Sequence, residues 1–129
     1  MKTIVAAGLA LAFASAFFCM GEESVVNTKP LADVQKEIKD GKAILVDVRA
    51  QSEWDKGHVK DAKFVPITTI KDGTADLASL PKDKTIYTYC ARGGRAKTAA
   101  EVLKEKGYNA ASLKEGFEEL SKNGFESVK

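Results

Sequence analysis

One histidine, one tryptophan and two cysteines are all that the 129-residue sequence holds of these types. With His58 alone, no histidine cluster exists to bind a metal, and no H-E-x-x-H or C-x-x-C spacing occurs. A G-x-x-x-x-G-K loop and a dinucleotide fingerprint are missing as well. Metal, nucleotide and dithiol-redox chemistry therefore have no basis in the sequence, and no cofactor is expected. Charge of one sign is equally lacking. Twenty basic and 18 acidic residues give a formal net charge of +2, mixed along the chain, so neither nucleic acid nor an anionic membrane is an expected partner. There is no internal repeat, low-complexity tract or linker.

Long hydrophobic runs are also few. The one that stands out, Ile4 to Phe18, is broken by Gly8 and Ser15 and is short for a membrane span of about 20 residues. It follows a basic start at Lys2 and precedes acidic residues that begin at Glu22. That layout is a secretory signal peptide, expected over residues 1–21, with small residues permitting cleavage after Ala16 or after Gly21. The mature protein is then periplasmic or secreted, a single domain over residues 22–129, and monomeric by default. Cys19 raises the alternative of a lipid anchor, which would bring the protein to a membrane. Lipoprotein signals want a small residue before the cysteine, whereas Phe18 stands there, so loss of Cys19 with the signal is the expectation.

That loss leaves Cys90 as the only thiol of an exported chain. It has no partner for an internal disulfide, so it is a reactive thiol, an intermolecular partner, or an inert buried side chain. The count alone does not choose.

The surrounding sequence alternates strand and helix patterns. Residues 30–41 read as a helix opened by Pro30 and ended by Gly41, with Leu31, Val34 and Ile38 on one face. "AILVDV" (43–48) is a short, mostly β-branched run suited to a strand buried on both faces. "SEWDKG" is one helical turn, "AKFVPI" (62–67) a second strand, and the segment down to Pro81 a loop with a short helix. "TIYTYC" (85–90) is a third strand ending at the cysteine. A helix follows from Arg95 to Gly107, then the strand "YNAASL" and a short amphipathic "GFEELSKNG". This alternation predicts an α/β fold: a central parallel sheet of about five strands with helices on both faces. Ligands in such folds bind beyond the carboxyl ends of the strands, which is where Cys90 lies.

A thiolate attacks and a thiol hardly does, and three features of "YCARGGRA" favour the thiolate. Arg92 and Arg95 bring fixed positive charge. Gly93 and Gly94 permit positive φ, so that successive N–H groups can curl into an anion nest. The helix that follows adds its positive end. The same cradle would hold a small oxyanion beside the sulfur, so an electrophilic anion could be bound and attacked in one place.

"CARGGR" resembles the six-residue active-site loop of rhodanese (thiosulfate sulfurtransferase) domains, C-x-x-G-x-R. The resemblance continues upstream in "ILVDVRAQSEWDKGHVKDAKFVPI" (44–67) and downstream in "GYNAASLKEGFEEL", covering about residues 28–122. Glu115 stands where many members have the first of two glycines. The resemblance implies that Cys90 takes sulfur from thiosulfate or a similar small anionic donor, forming a Cys90 persulfide. A thiol, cyanide or protein acceptor then removes the sulfur. It implies that the Ala91, Arg92, Gly93, Gly94 and Arg95 amides cradle the persulfide. Arg92 and Arg95 bind the donor, unless Arg95 braces the loop instead. Asp47, Arg49 and Glu53 are expected in a buried ion-pair network, His58 in a structural turn and Trp54 in the core. Two other readings use the same loop: a persulfide carrier without turnover serving a protein partner, and phosphatase or arsenate chemistry. Phosphatase relatives typically place five residues between cysteine and arginine, against four here, and the smaller cradle suits sulfur.

Overall fold

The strands form because β-branched and aromatic residues alternate between two buried faces. A computed structural model describes residues 24–129; the signal-peptide and Cys19 readings lie outside them. In chain order the elements are α1 (Leu31–Lys39), β1 (Ala43–Asp47), α2 (Gln51–Lys56), β2 (His58–Val59), β3 (Lys63–Phe64), α3 (Ile67–Asp72), a 3-10 turn (Leu77–Ser79), β4 (Thr85–Tyr89), α4 (Gly94–Glu105), β5 (Asn109–Ser112), α5 (Phe117–Lys122) and β6 (Ser127–Val128).

The main sheet has four strands in the order β3-β1-β4-β5, all parallel. Beyond β5 the chain adds a single parallel bridge, Val26 to Ser112. The Asn27 amide donates to the Ser112 carbonyl, and the Ser112 amide to that of Val25, both at 2.8 Å. The main sheet thus has four strands against the about five expected, with this one-residue pairing added at the β5 edge.

Side chains of β4 sort by parity. Ile86 and Cys90 join a cluster with Val46, Val48, Ile70, Ala96, Ala99, Ala100 and Leu103, which is the face covered by α3 and α4. Tyr87 and Tyr89 join Val34, Leu45, Leu113 and Leu120 under α1 and α5. Both faces are covered, as the unbroken apolar runs require.

Three differences from the sequence reading have local causes. "AKFVPI" pairs only through Lys63 and Phe64, because Pro66 (φ −58°) caps helix α3 and turns the chain out of the sheet. Helix α3, "ITTIKD", starts at Ile67, which the sequence assigns to the strand, and runs through residues expected in a loop. Its β-branched residues are weak helix formers, and the short helix expected before Pro81 is the 3-10 turn Leu77–Ser79. The C-terminal β6, not anticipated, pairs antiparallel with β2, joining Val128 to His58 and Ser127 to Val59.

Candidate active site

Parallel strands put all their carboxyl ends on one edge, and there the chain builds a buried polar frame. Asp47, last in β1, is fully buried and Arg49 is 5% exposed. The Arg49 guanidinium donates to both Asp47 carboxylate oxygens at 2.7–3.0 Å and to the Gly57 carbonyl at 2.7 Å. Its Cζ lies 4.5 Å from the Phe117 ring centre, over the ring face. Burial opposes its charge, but the hydrogen bonds and charge of Asp47 outweigh burial and hold the group above its usual value. The Tyr89 hydroxyl donates to Asp47 at 2.7 Å and accepts the Val59 amide at 3.0 Å. Burial, together with the Asp47 carboxylate, pushes this phenol well above the ordinary range.

Cys90 follows Tyr89 directly and is 1% exposed. Its Sγ accepts the Gly93 N–H at 2.9 Å and the Ala96 N–H at 3.4 Å. Gly93 makes the first contact possible. It caps α4 in the left-handed region (φ 104°), and a β-carbon there would also stand 3.2 Å from the Lys114 carbonyl oxygen. Gly94, expected to share this role, lies inside α4 without positive φ, and a β-carbon on it would meet nothing within 4 Å. The Ala96 amide, one residue past the expected cradle, escaped the sequence reading; its signal is the first turn of a helix aimed at the sulfur. Thr88 ties the same turn to the strand, its hydroxyl donating to the Ala96 carbonyl at 2.8 Å.

The two arginines separate. Arg92 is exposed and makes no ion pair or side-chain hydrogen bond among the described residues. Arg95 is held by Glu53, its two terminal nitrogens donating to the two carboxylate oxygens at 2.7 and 3.0 Å. This fork holds the Glu53 carboxyl down at about 2, against the opposing effect of partial burial, with help from the Ala50 amide. Glu53 thus belongs with Arg95, outside the Asp47–Arg49 pair it was expected to join. The bracing alternative for Arg95 describes its geometry.

A cleft of about 470 Å³ opens over the sulfur, lined by Glu53, Cys90, Ala91, Arg92, Gly94 and Arg95. Its back is fixed by Gly116. A β-carbon on that residue would lie 1.8 Å from the Ala91 carbonyl oxygen, and the Phe117 amide donates to the Cys90 carbonyl at 3.0 Å. The retained glycine is therefore the one that the loop requires, and Glu115 stands at a position that tolerates a side chain. Trp54 lies outside both core clusters, half-buried, stacked on His58 (3.4 Å between ring centres) and on Phe64 (4.9 Å). His58, expected in a structural turn, instead lies in the short strand β2, paired with Val128, and the turn follows at Lys60 and Asp61.

The fold and this loop define an α/β domain with a cysteine cradled at the end of a central parallel strand. The sequence model of the rhodanese-like domain matches residues 30–123, and the chain belongs to that family. It is 39% identical over 70 residues to a probable adenylyltransferase/sulfurtransferase, MoeZ, of Mycobacterium tuberculosis, covering 54% of this chain and 18% of that protein. It is 32% identical over 80 residues to the tRNA uridine(34) hydroxylase of Erwinia tasmaniensis, covering 60% of this chain and 23% of that protein. The chain thus spans less than a quarter of these curated relatives. Among solved structures, a rhodanese-related protein of Thermoplasma volcanium superposes with a TM-score of 0.64 at 27% identity, covering 75% of this chain and 92% of that one. The family is one of sulfur transfer, with relatives named as sulfurtransferases.

Proposed function

We propose that this protein moves sulfane sulfur from thiosulfate, or a donor of like chemistry, to a thiol or cyanide through a persulfide on Cys90. The observation that carries the reading is the pair of backbone N–H groups aimed at Sγ beneath a cleft with a free arginine at its mouth. The Cys90 thiolate attacks the outer sulfur of thiosulfate. A new S–S bond forms to Sγ, the bond to the sulfonate sulfur breaks with its electron pair, and sulfite leaves. The Gly93 and Ala96 amides face the atom that carries negative charge at the start of this step, and Arg92 offsets the charge of the donor. An acceptor thiolate then attacks the terminal sulfur and releases the Cys90 thiolate. Neither step needs an external oxidant or reductant.

The same chemistry fits a carrier that hands its sulfur to a protein partner, and turnover separates the two. Phosphoryl transfer is disfavoured by the four-residue gap between Cys90 and Arg95 and by the Glu53 fork, which takes one N–H of each terminal nitrogen of Arg95 and offsets its charge. We place the protein outside the cytoplasm on the apolar run and basic start of residues 1–18. A periplasmic fraction whose protein has the mass of the cleaved chain would bear this out.

The decisive experiment is intact mass before and after thiosulfate. A gain of about 32 Da on the wild type, absent from Cys90→Ser, is expected. No gain with any sulfane donor overturns sulfur transfer. Thiocyanate release on adding cyanide then distinguishes an enzyme from a carrier.

A further inference from the structure

A second cleft of about 510 Å³ adjoins the first across the Ala91–Arg92 backbone, and its walls include Phe117, Glu118, Glu119 and Lys122 of α5. Glu53, Ala91 and Arg92 line both clefts and form the wall between them. Two of its charged groups are already engaged. Arg49 is bound to Asp47 and the Gly57 carbonyl, and Glu53 to Arg95. Arg92, Lys122, Glu118 and Glu119 are exposed and have no ion-pair partner among the described residues. The cleft therefore offers two free cations and two free carboxylates across the Ala91–Arg92 backbone from the cleft that Cys90 lines.

That lining does not suit a dianion such as thiosulfate, which would meet both carboxylates. It does not suit cyanide either, which needs neither the volume nor the charges. Resting on the sulfur-transfer reading, we propose that this cleft is the acceptor subsite and that it selects a small zwitterionic thiol, one bearing both an ammonium and a carboxylate group. The ammonium sits against Glu118 and Glu119, the carboxylate against Arg92 and Lys122. The thiol then reaches over the Ala91–Arg92 ridge to the persulfide. Its sulfur forms a bond to the terminal sulfur, the Sγ–S bond breaks, and the products are the acceptor's persulfide and the Cys90 thiolate. Donor and acceptor thus approach Cys90 from different clefts, the donor meeting Sγ and the acceptor the terminal sulfur, and Arg92 stands between them.

The test compares wild type with the double variant Glu118→Gln/Glu119→Gln, both loaded with sulfur and checked by mass. Rates of sulfur loss are measured with cysteine, cysteamine, 3-mercaptopropionate and 2-mercaptoethanol. Taking the ratio of wild type to variant for each thiol cancels differences in intrinsic thiol reactivity. The expected ratio is about tenfold for cysteine and close to one for 2-mercaptoethanol, given the modest strength of exposed charge pairs. Equal ratios for all four thiols overturn the proposal. If neither protein can be loaded, sulfur transfer itself fails and the cleft is read separately, by titrating S-methylcysteine into isotope-labelled protein. Amide shifts at Ala91, Arg92 and Phe117 to Lys122 that vanish in the variant support the subsite; their absence from the wild type overturns it.

Discussion

Glu53 and Arg95, 42 residues apart in sequence, meet through two parallel hydrogen bonds of 2.7 and 3.0 Å. The pair joins the first turn of α2 to the first turn of α4, so the helix that carries the Ala96 amide is anchored to the strand-β1 side of the sheet. Among the described residues the Arg95 guanidinium is thus ion-paired, whereas that of Arg92 is exposed and unpaired.

The pair has a pH signature. The Glu53 carboxyl is held at about 2 in the folded protein, below the value near 4.3 expected in the unfolded chain. The unfolded state therefore binds the proton more tightly, and the stabilisation is fully present above about pH 5 and lost as pH falls toward 2. Thermal melts of wild type and Glu53→Gln from pH 7 to pH 2 should show a gap that closes across that window. A gap independent of pH would remove the ion pair as its cause.

Arg92→Ala should leave the melting temperature nearly unchanged, since the side chain is exposed and unpaired. Its thiosulfate kcat/KM should fall roughly ten- to a hundredfold, the value of a hydrogen bond to a charged group. Steady-state kinetics equal to those of wild type would dispose of its donor-binding role.

The two glycines of the site region with opposite geometry make a matched experiment. Gly116→Ala drives a methyl group into the Ala91 carbonyl, so the loop must shift and persulfide formation should drop by at least about a hundredfold. Gly94→Ala puts its methyl group in open space on a helix and should be neutral or slightly stabilising. The reverse order, read by persulfide mass and by melting, would contradict the loop geometry.

Tyr89→Phe removes the hydroxyl that serves both Asp47 and the Val59 amide, stranding buried polar groups. A loss of about 1–3 kcal/mol is expected in denaturant unfolding. A change under about 0.5 kcal/mol would mean that the Asp47–Arg49 frame carries itself.

Strands and the cysteine loop were legible because period and punctuation are local properties. "AILVDV" and "TIYTYC" are short runs rich in β-branched and aromatic residues, and "CARGGR" gathers cysteine, glycines and arginines within six residues. What stayed hidden depends on distance. Nothing in the sequence says that Glu53 would choose Arg95 over Arg49, because the choice is made by how α2 and α4 meet. Helix α3 was obscured by Thr68, Thr69 and two isoleucines, whose weak helix preference is overridden when Ile70 is buried against α4. The C-x-x-G-x-R pattern singles out Gly93, and the observed φ gives the physical reason, since Gly94 lies in α4 without positive φ.

The donors to Sγ rest on α4, whose Ala96, Ala99, Ala100 and Leu103 are all fully buried. The backbone donors around Cys90 are thus built onto a helix packed in the core cluster. On the proposed sulfur-transfer reading they are oriented when the chain folds and need no reorganisation at each turnover. A bulky thiol reagent, too large for the cleft over a 1%-exposed sulfur, should then label Cys90 only when the whole domain opens, which makes this thiol a built-in reporter of global unfolding.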